Sequence, residues 1–114
     1  MTDLEKLKAR CESTFARLGI TAVYRIEKVD EIPELPFARF WFANETLTGS
    51  DSAMLIRRVS LNIELITTER RFDLESGIEE EFEGFGCTKS EDFDTSDEVF
   101  AETFNFDVVQ KIRR

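Results

Sequence analysis

Leu4, Leu7, Cys11, Phe15 and Leu18 recur at steps of three and four residues, which lines one apolar stripe along a helix from about Leu4 to Leu18. Thr2 followed by Glu5 gives a capping-box start, and Gly19 gives a stop. A lone amphipathic helix is marginal in water, so this stripe needs a sheet to lie against. The β-branched and aromatic run in "ITAVYRIE" predicts a strand near Thr21–Ile26. "KVDEIPELP" ends it: Pro33 and Pro36 lack backbone donors and make that segment a connector.

In "FARFWFAN" the aromatics fall on both faces, Phe37 and Trp41 on one, Phe40 and Phe42 on the other, which predicts a strand covered on both sides along part of its length. "RVSLNIEL" alternates, with Val59, Leu61, Ile63 and Leu65 facing a core and Arg58, Ser60, Asn62 and Glu64 facing water. The polar stretch between them, "NETLTGSDSA", reads as the loop of an antiparallel hairpin.

Leu74, Ile78, Phe82 and Phe85 return to the helical step, so "FDLESGIEEEFEGFG" is a second amphipathic helix ending at Gly84 or Gly86. Glu75, Glu79, Glu80 and Glu83 on its other side read as a solvated face. Gly77 weakens this helix by about 1 kcal/mol relative to Ala. "CTKSEDFD" predicts an edge strand that turns at Thr95–Ser96–Asp97 into a final strand, where Phe100, Phe104, Phe106 and Val108 share a face that Glu102 interrupts. The order α-β-β-β-α-β-β predicts one α+β domain over residues 1–114. It would be a two-layer sandwich with a mainly antiparallel sheet and two amphipathic helices on one face.

With 114 residues, 41% of them apolar and eleven of them Phe, the chain can fill one core despite its 34% charged content. No apolar run approaches the ~20 residues that span a bilayer, and the N-terminus lacks a signal-peptide core, so the expectation is a protein made in the cytoplasm. Cys11 and Cys87 have no partners at metal-ligand spacing and read as reduced packing residues.

The chain has no His, which removes the commonest general base and metal ligand. A formal charge of −9 argues against gripping nucleic acid by phosphate neutralisation. Glu91, Asp92, Asp94, Asp97 and Glu98 offer oxygen ligands for Ca²⁺ or Mg²⁺, but without the EF-hand glycine and terminal glutamate they read as a strand, turn and strand. Paired carboxylates in a glycosidase need a deeper cleft than a two-layer domain of this size provides. The glycines fall at turns or helix ends and form no phosphate-binding motif. The reading therefore names no catalytic residue, no cofactor, no metal, no membrane and no small-molecule substrate.

Interaction is the function class that remains. Asn44, Glu45, Thr46, Leu47, Thr48, Ser50, Asp51 and Ser52 are the candidate interaction loop, a polar tip that gains most by docking onto a partner. Arg57, Arg58, Arg70 and Arg71 bracket the most regular strand. They are candidates for ion pairs with a neighbouring subunit, against the alternative that they pair within the chain or stay solvated.

The succession of an N-terminal helix, "LPFARFWF", a polar loop, "RVSLNIELIT", the helix "LESGIEEEFEGFG", "CTKSEDFDTSDE" and "VFAETFNFDV" resembles the small tail-terminator or tail-completion proteins of long-tailed bacteriophages and prophages. The resemblance covers nearly the whole chain and rests on the order of strands and helices, not on a catalytic signature. It implies a structural protein without an active site, made in the bacterial host cytoplasm and assembled into the virion tail. There it forms a ring of identical subunits, expected as a hexamer, that caps the tail-tube protein and joins it to the head connector. DNA passes nearby without specific binding, and a wall of net negative charge keeps phosphate from sticking. Two alternatives stand beside it: an acidic DNA-mimic inhibitor of a DNA-binding enzyme, and an adaptor domain unrelated to phage.

Overall fold

The structure, a computed structural model, describes residues 3–25, 34–51, 54–94 and 98–113. Its elements run α1 (Asp3–Arg17), β1 (Thr21–Tyr24), β2 (Phe37–Asp51), β3 (Met54–Thr67), α2 (Phe72–Glu81), β4 (Gly86–Asp94) and β5 (Val99–Arg113). The five strands form one sheet in the order β1-β2-β3-β5-β4. Among the described residues the β1–β2 pairing is parallel, and the β2–β3, β3–β5 and β4–β5 pairings are antiparallel. This is the α+β fold that the alternation of periods in the sequence predicts.

Register sorts the strands onto two faces. Phe40 lies opposite Ile63 and Ile63 opposite Phe104; Phe42 lies opposite Leu61 and Leu61 opposite Phe106. These residues join Leu7, Cys11 and Phe15 of α1, Leu74 and Ile78 of α2, and Phe82 at its C-cap in one core, so both helices cover the same face. Phe15 packs against Phe40 at 5.3 Å between ring centroids, and Phe82 against Phe106 at 5.1 Å, tilted contacts that favour aromatic pairs. On the far face Phe37 and Ile66 are also buried while Trp41 is half-buried, so β2 is covered on both sides at its start, as its aromatics indicate.

α1 begins and ends within one residue of the predicted bounds, whereas α2 stops at Glu81 with Phe82 as its C-cap, three to five residues before the predicted end at Gly84 or Gly86. Thr2 of the capping box, Ile26, Pro33 and the turn at 95–97 lie outside the described residues. Gly19 adopts φ 74° just past α1, a left-handed conformation in which glycine carries no Cβ penalty. Gly77 has a packing role beyond its cost in helix propensity: a Cβ there would come within 2.5 Å of Leu18 Cδ2, where the two helices meet. Gly77→Leu is therefore expected to lower stability by about 2 kcal/mol, and Gly77→Ala to give none of the roughly 1 kcal/mol gain that helix propensity alone implies. Urea unfolding of the two variants measures both.

The largest departure from the sequence reading is the stretch taken for a loop. Asn44 to Asp51 continues β2, and β3 begins at Met54, so the strands run nearly to the tip with residues 52 and 53 between them. Ser52 of the candidate loop lies outside the described residues. Asn44 and Glu45 together oppose Val59, a β-bulge at which Asn44 takes φ 52°, a conformation Asn tolerates better than most residues. The bulge shifts the alternation by one, so Leu47 rather than Thr46 or Thr48 shares the helix-bearing face with Arg57. A second irregularity lies between Gly49 and Asp51. β5 accompanies β3 to its end, Met54 pairing with Arg113. The result is a three-stranded arm of β2, β3 and β5 whose paired strands extend roughly 17 Å from the bulge, at about 3.3 Å per residue. The arm accounts for a radius of gyration of 15.4 Å, where a compact chain of this length has about 13 Å, and for a long axis of 53 Å against 26 and 24 Å.

Candidate functional site

Two places carry unusual chemistry: the arm, and a buried charge cluster beneath α2.

On the arm, Asn44 to Gly49 are exposed, and Leu47 and Ile56 expose 55% and 38% of their surface at sites where large apolar side chains are usually covered. The root is held firmly. Arg57 Nε pairs with Glu45 at 3.0 Å, and Gln110 Nε2 donates to the Asp3 carbonyl at 3.2 Å, which ties the start of α1 across the sheet. Beyond that row no described helix covers the arm's strands.

The four candidate inter-subunit arginines each meet a carboxylate of their own chain. Arg57 pairs with Glu45, Arg58 with Asp107 at 3.3 Å, Arg70 with Glu75 at 3.3 Å and Glu91 at 2.6 Å, and Arg71 with Asp73 at 2.9 Å. Pairing within the chain is thus what the geometry displays, because antiparallel register and the first turn of α2 bring these carboxylates within reach. The bidentate Arg71–Asp73 contact holds the Asp73 carboxyl below its ordinary range.

The buried cluster overturns part of the solvated-face reading of α2. Glu75, one residue past the apolar stripe, is only 3% exposed. Glu102, the residue that interrupts the apolar face of β5, is fully buried. Lys89 of β4, opposite Phe104 and on the same face as Glu102, joins them: its Nζ lies 3.3 Å from Glu75 Oε1, 3.1 Å from Glu102 Oε1 and 2.5 Å from Glu79 Oε1. Neither oxygen of Glu102 has an aligned hydrogen-bond donor, so the Lys89 contact is an ion pair off the hydrogen-bond direction. Burial, and then the neighbouring Glu75 carboxyl, push Glu102 up to about 7. For Glu75 burial acts upward too, but hydrogen bonds from Glu102, Arg70 and Lys89 outweigh it and hold this carboxyl below its usual range. The pair therefore shares one proton near neutrality, with Glu102 the protonated partner. Burial pulls the Lys89 ammonium down, and three carboxylate partners more than reverse that.

A carboxyl titrating near 7 is what a general acid requires, but catalysis also needs substrate access. Concavities on the described surface include one of about 110 Å³ lined by Leu35, Pro36, Thr67, Thr68, Glu69 and Arg71, and one of about 290 Å³ lined by Leu4, Glu5, Lys8, Tyr24 and Phe42. Neither touches Glu75 or Glu102. The cluster is walled by α2, β4 and β5, and its arrangement can hold α2 to the sheet and link that attachment to proton uptake.

Cys11 is a free core thiol that burial pushes up to about 12, whereas Cys87 is free and exposed, contrary to its reading as a packing residue. Among the described residues no group of three or more acidic or thiol ligands is placed to hold a metal, and no helix is long and apolar enough to cross a membrane. No protein-family model matches this chain, and no curated protein matches it in sequence.

Sequence reasoning missed Glu75, Glu102 and Lys89 as a unit. The available signal was Glu102 in register with Phe100 and Phe104, an acid at a core position that demands a partner.

Proposed function

We propose that this chain is a structural assembly protein of the tail-terminator type, which joins copies of itself into a ring, caps a tail tube and meets the head connector. The observation that carries this reading is the three-stranded arm, a projection with exposed strand edges and two exposed apolar side chains. A protein acting alone has little use for such a projection. The order of elements that underlies the resemblance to tail terminators is the order found in the fold. A net charge of −9 suits a channel wall that DNA must pass without sticking.

The DNA-mimic reading has less support, since mimicry needs unneutralised carboxylates in phosphate-like array. Here Glu45, Glu64, Glu75, Glu79, Glu81, Glu91 and Asp107 each face a Lys or Arg of the same chain. An adaptor domain would use the arm equally well, and the partner separates the two. Electron microscopy of tail tubes assembled without this protein, before and after its addition, tests the proposal. Tubes of uniform length closed at one end are expected; tubes left open and still growing contradict it.

A further inference from the structure

Besides the four-residue β1, three stretches of strand edge have no strand neighbour among the described residues. These are the outer edge of β4, the edge of β2 from Trp41 to Asp51, and the edge of β5 from Val108 to Arg113. The β4 edge carries a familiar protection against stray pairing: Lys89 and Glu91 point to the helix-bearing face and lock into ion pairs there. The β5 edge, "VVQKIR", has no proline, no bulge and no described inward charge pair. The β2 edge is bulged at both ends of the arm but regular from Thr46 to Gly49. These two edges are left able to pair.

Charge decides what they can pair with. Among the described side chains, the free stretch of β2 carries Glu45 and no basic residue, while that of β5 carries Lys111 and no acidic one. Joining β2 to β2 or β5 to β5 sets like charges together, and joining β2 to β5 sets opposite charges together. We propose that the free β5 edge of one copy of this chain pairs with the free β2 edge of the next, so that successive arms merge into one continuous sheet.

This rests on the reading of the chain as a self-assembling protein and specifies its joint. β2 and β5 are both antiparallel to β3 and therefore run in the same direction, so copies related by rotation about an axis along the arm pair in parallel. The contact is head-to-tail, and it closes into a ring when the rotation divides a full turn. Thr48, Ile56 and Lys111 share one cross-strand row within a copy, so level joining sets Lys111 of one copy beside Thr48 of the next.

Sedimentation velocity over a concentration series tests the joint with a charge swap. Lys111→Glu is expected to raise the apparent dissociation constant about tenfold or more, Thr48→Lys alone to weaken association likewise, and the double variant to recover most of the loss. Circular dichroism should show all three folded. A native chain that stays monomeric up to about millimolar concentration, or association that ignores the swap, overturns the proposal. Tube capping is read separately, so a chain that associates through its arms yet leaves tubes open retains the joint and loses the terminator reading. One that caps tubes while its association ignores the swap does the reverse.

Discussion

Lys89→Met is expected to destabilise the protein by about 3–5 kcal/mol at pH 8, the cost of leaving buried carboxylates without their cation. Lys89 is the residue that contacts Glu75, Glu79 and Glu102 together, and Arg70, the other cation nearby, reaches Glu75 but has no ion pair with Glu102. The loss should shrink markedly at pH 5, because Glu102 can meet the missing charge by keeping a proton. The sign follows from linkage. The folded Glu102 carboxyl titrates at about 7 and an unfolded glutamate near 4.3, so between these values the native state holds more protons and stability falls as pH rises. Above about pH 7 both states are ionised and the contribution is flat. Glu102→Gln, which cannot ionise, should flatten that decline, with a relative gain on the order of 2 kcal/mol at pH 8 over pH 5. Urea unfolding of the native chain and both variants at the two pH values measures this. A Lys89→Met loss below about 1 kcal/mol, or one equal at both pH values, would contradict the account of the cluster.

Removing the arm is expected to abolish self-association, a loss of at least about a hundredfold in affinity, while sparing the domain. Replacing Leu47–Arg57 by Asn-Gly joins Thr46 to Arg58 at their existing cross-strand pair through a two-residue turn that favours hairpins. The fully buried Val59, Leu61 and Ile63 of β3, and both helices, keep their contacts. The cost is the Arg57–Glu45 ion pair and the pairing of the last residues of β5, together about 1–2 kcal/mol. Unfolding by urea should show the domain intact, and gel filtration at high concentration should show a monomer. Association that survives the truncation would place the joint elsewhere in the fold.

Much of the architecture was legible because burial imposes periodicity. The stripe from Leu4 to Leu18 and the alternation from Val59 to Leu65 each have one wet face, and both elements stand where the pattern places them. The arm was not legible for the complementary reason. Asn44 to Gly49 are exposed, no core face enforces alternation, and Asn44 and Gly49 are turn-favouring residue types set in what is strand. Thr46 and Thr48 flanking Leu47 were the remaining trace of a strand. The buried cluster escaped because Glu75 and Glu79 look alike on a helix projection. Which of them is buried depends on β4 and β5 lying beneath α2, a tertiary arrangement that no local pattern encodes. The arginines at 57, 58, 70 and 71 read as candidates for pairs with a neighbouring subunit, and their partners within the chain were not legible because they depend on register and on the first turn of α2.

Light scattering of the purified chain, alone and after mixing with tail tubes made without it, tests the central claim most directly. A discrete multiple of 13.2 kDa, or binding confined to tube ends, is the result expected of a ring-forming terminator. A persistent monomer that ignores the tubes would contradict it.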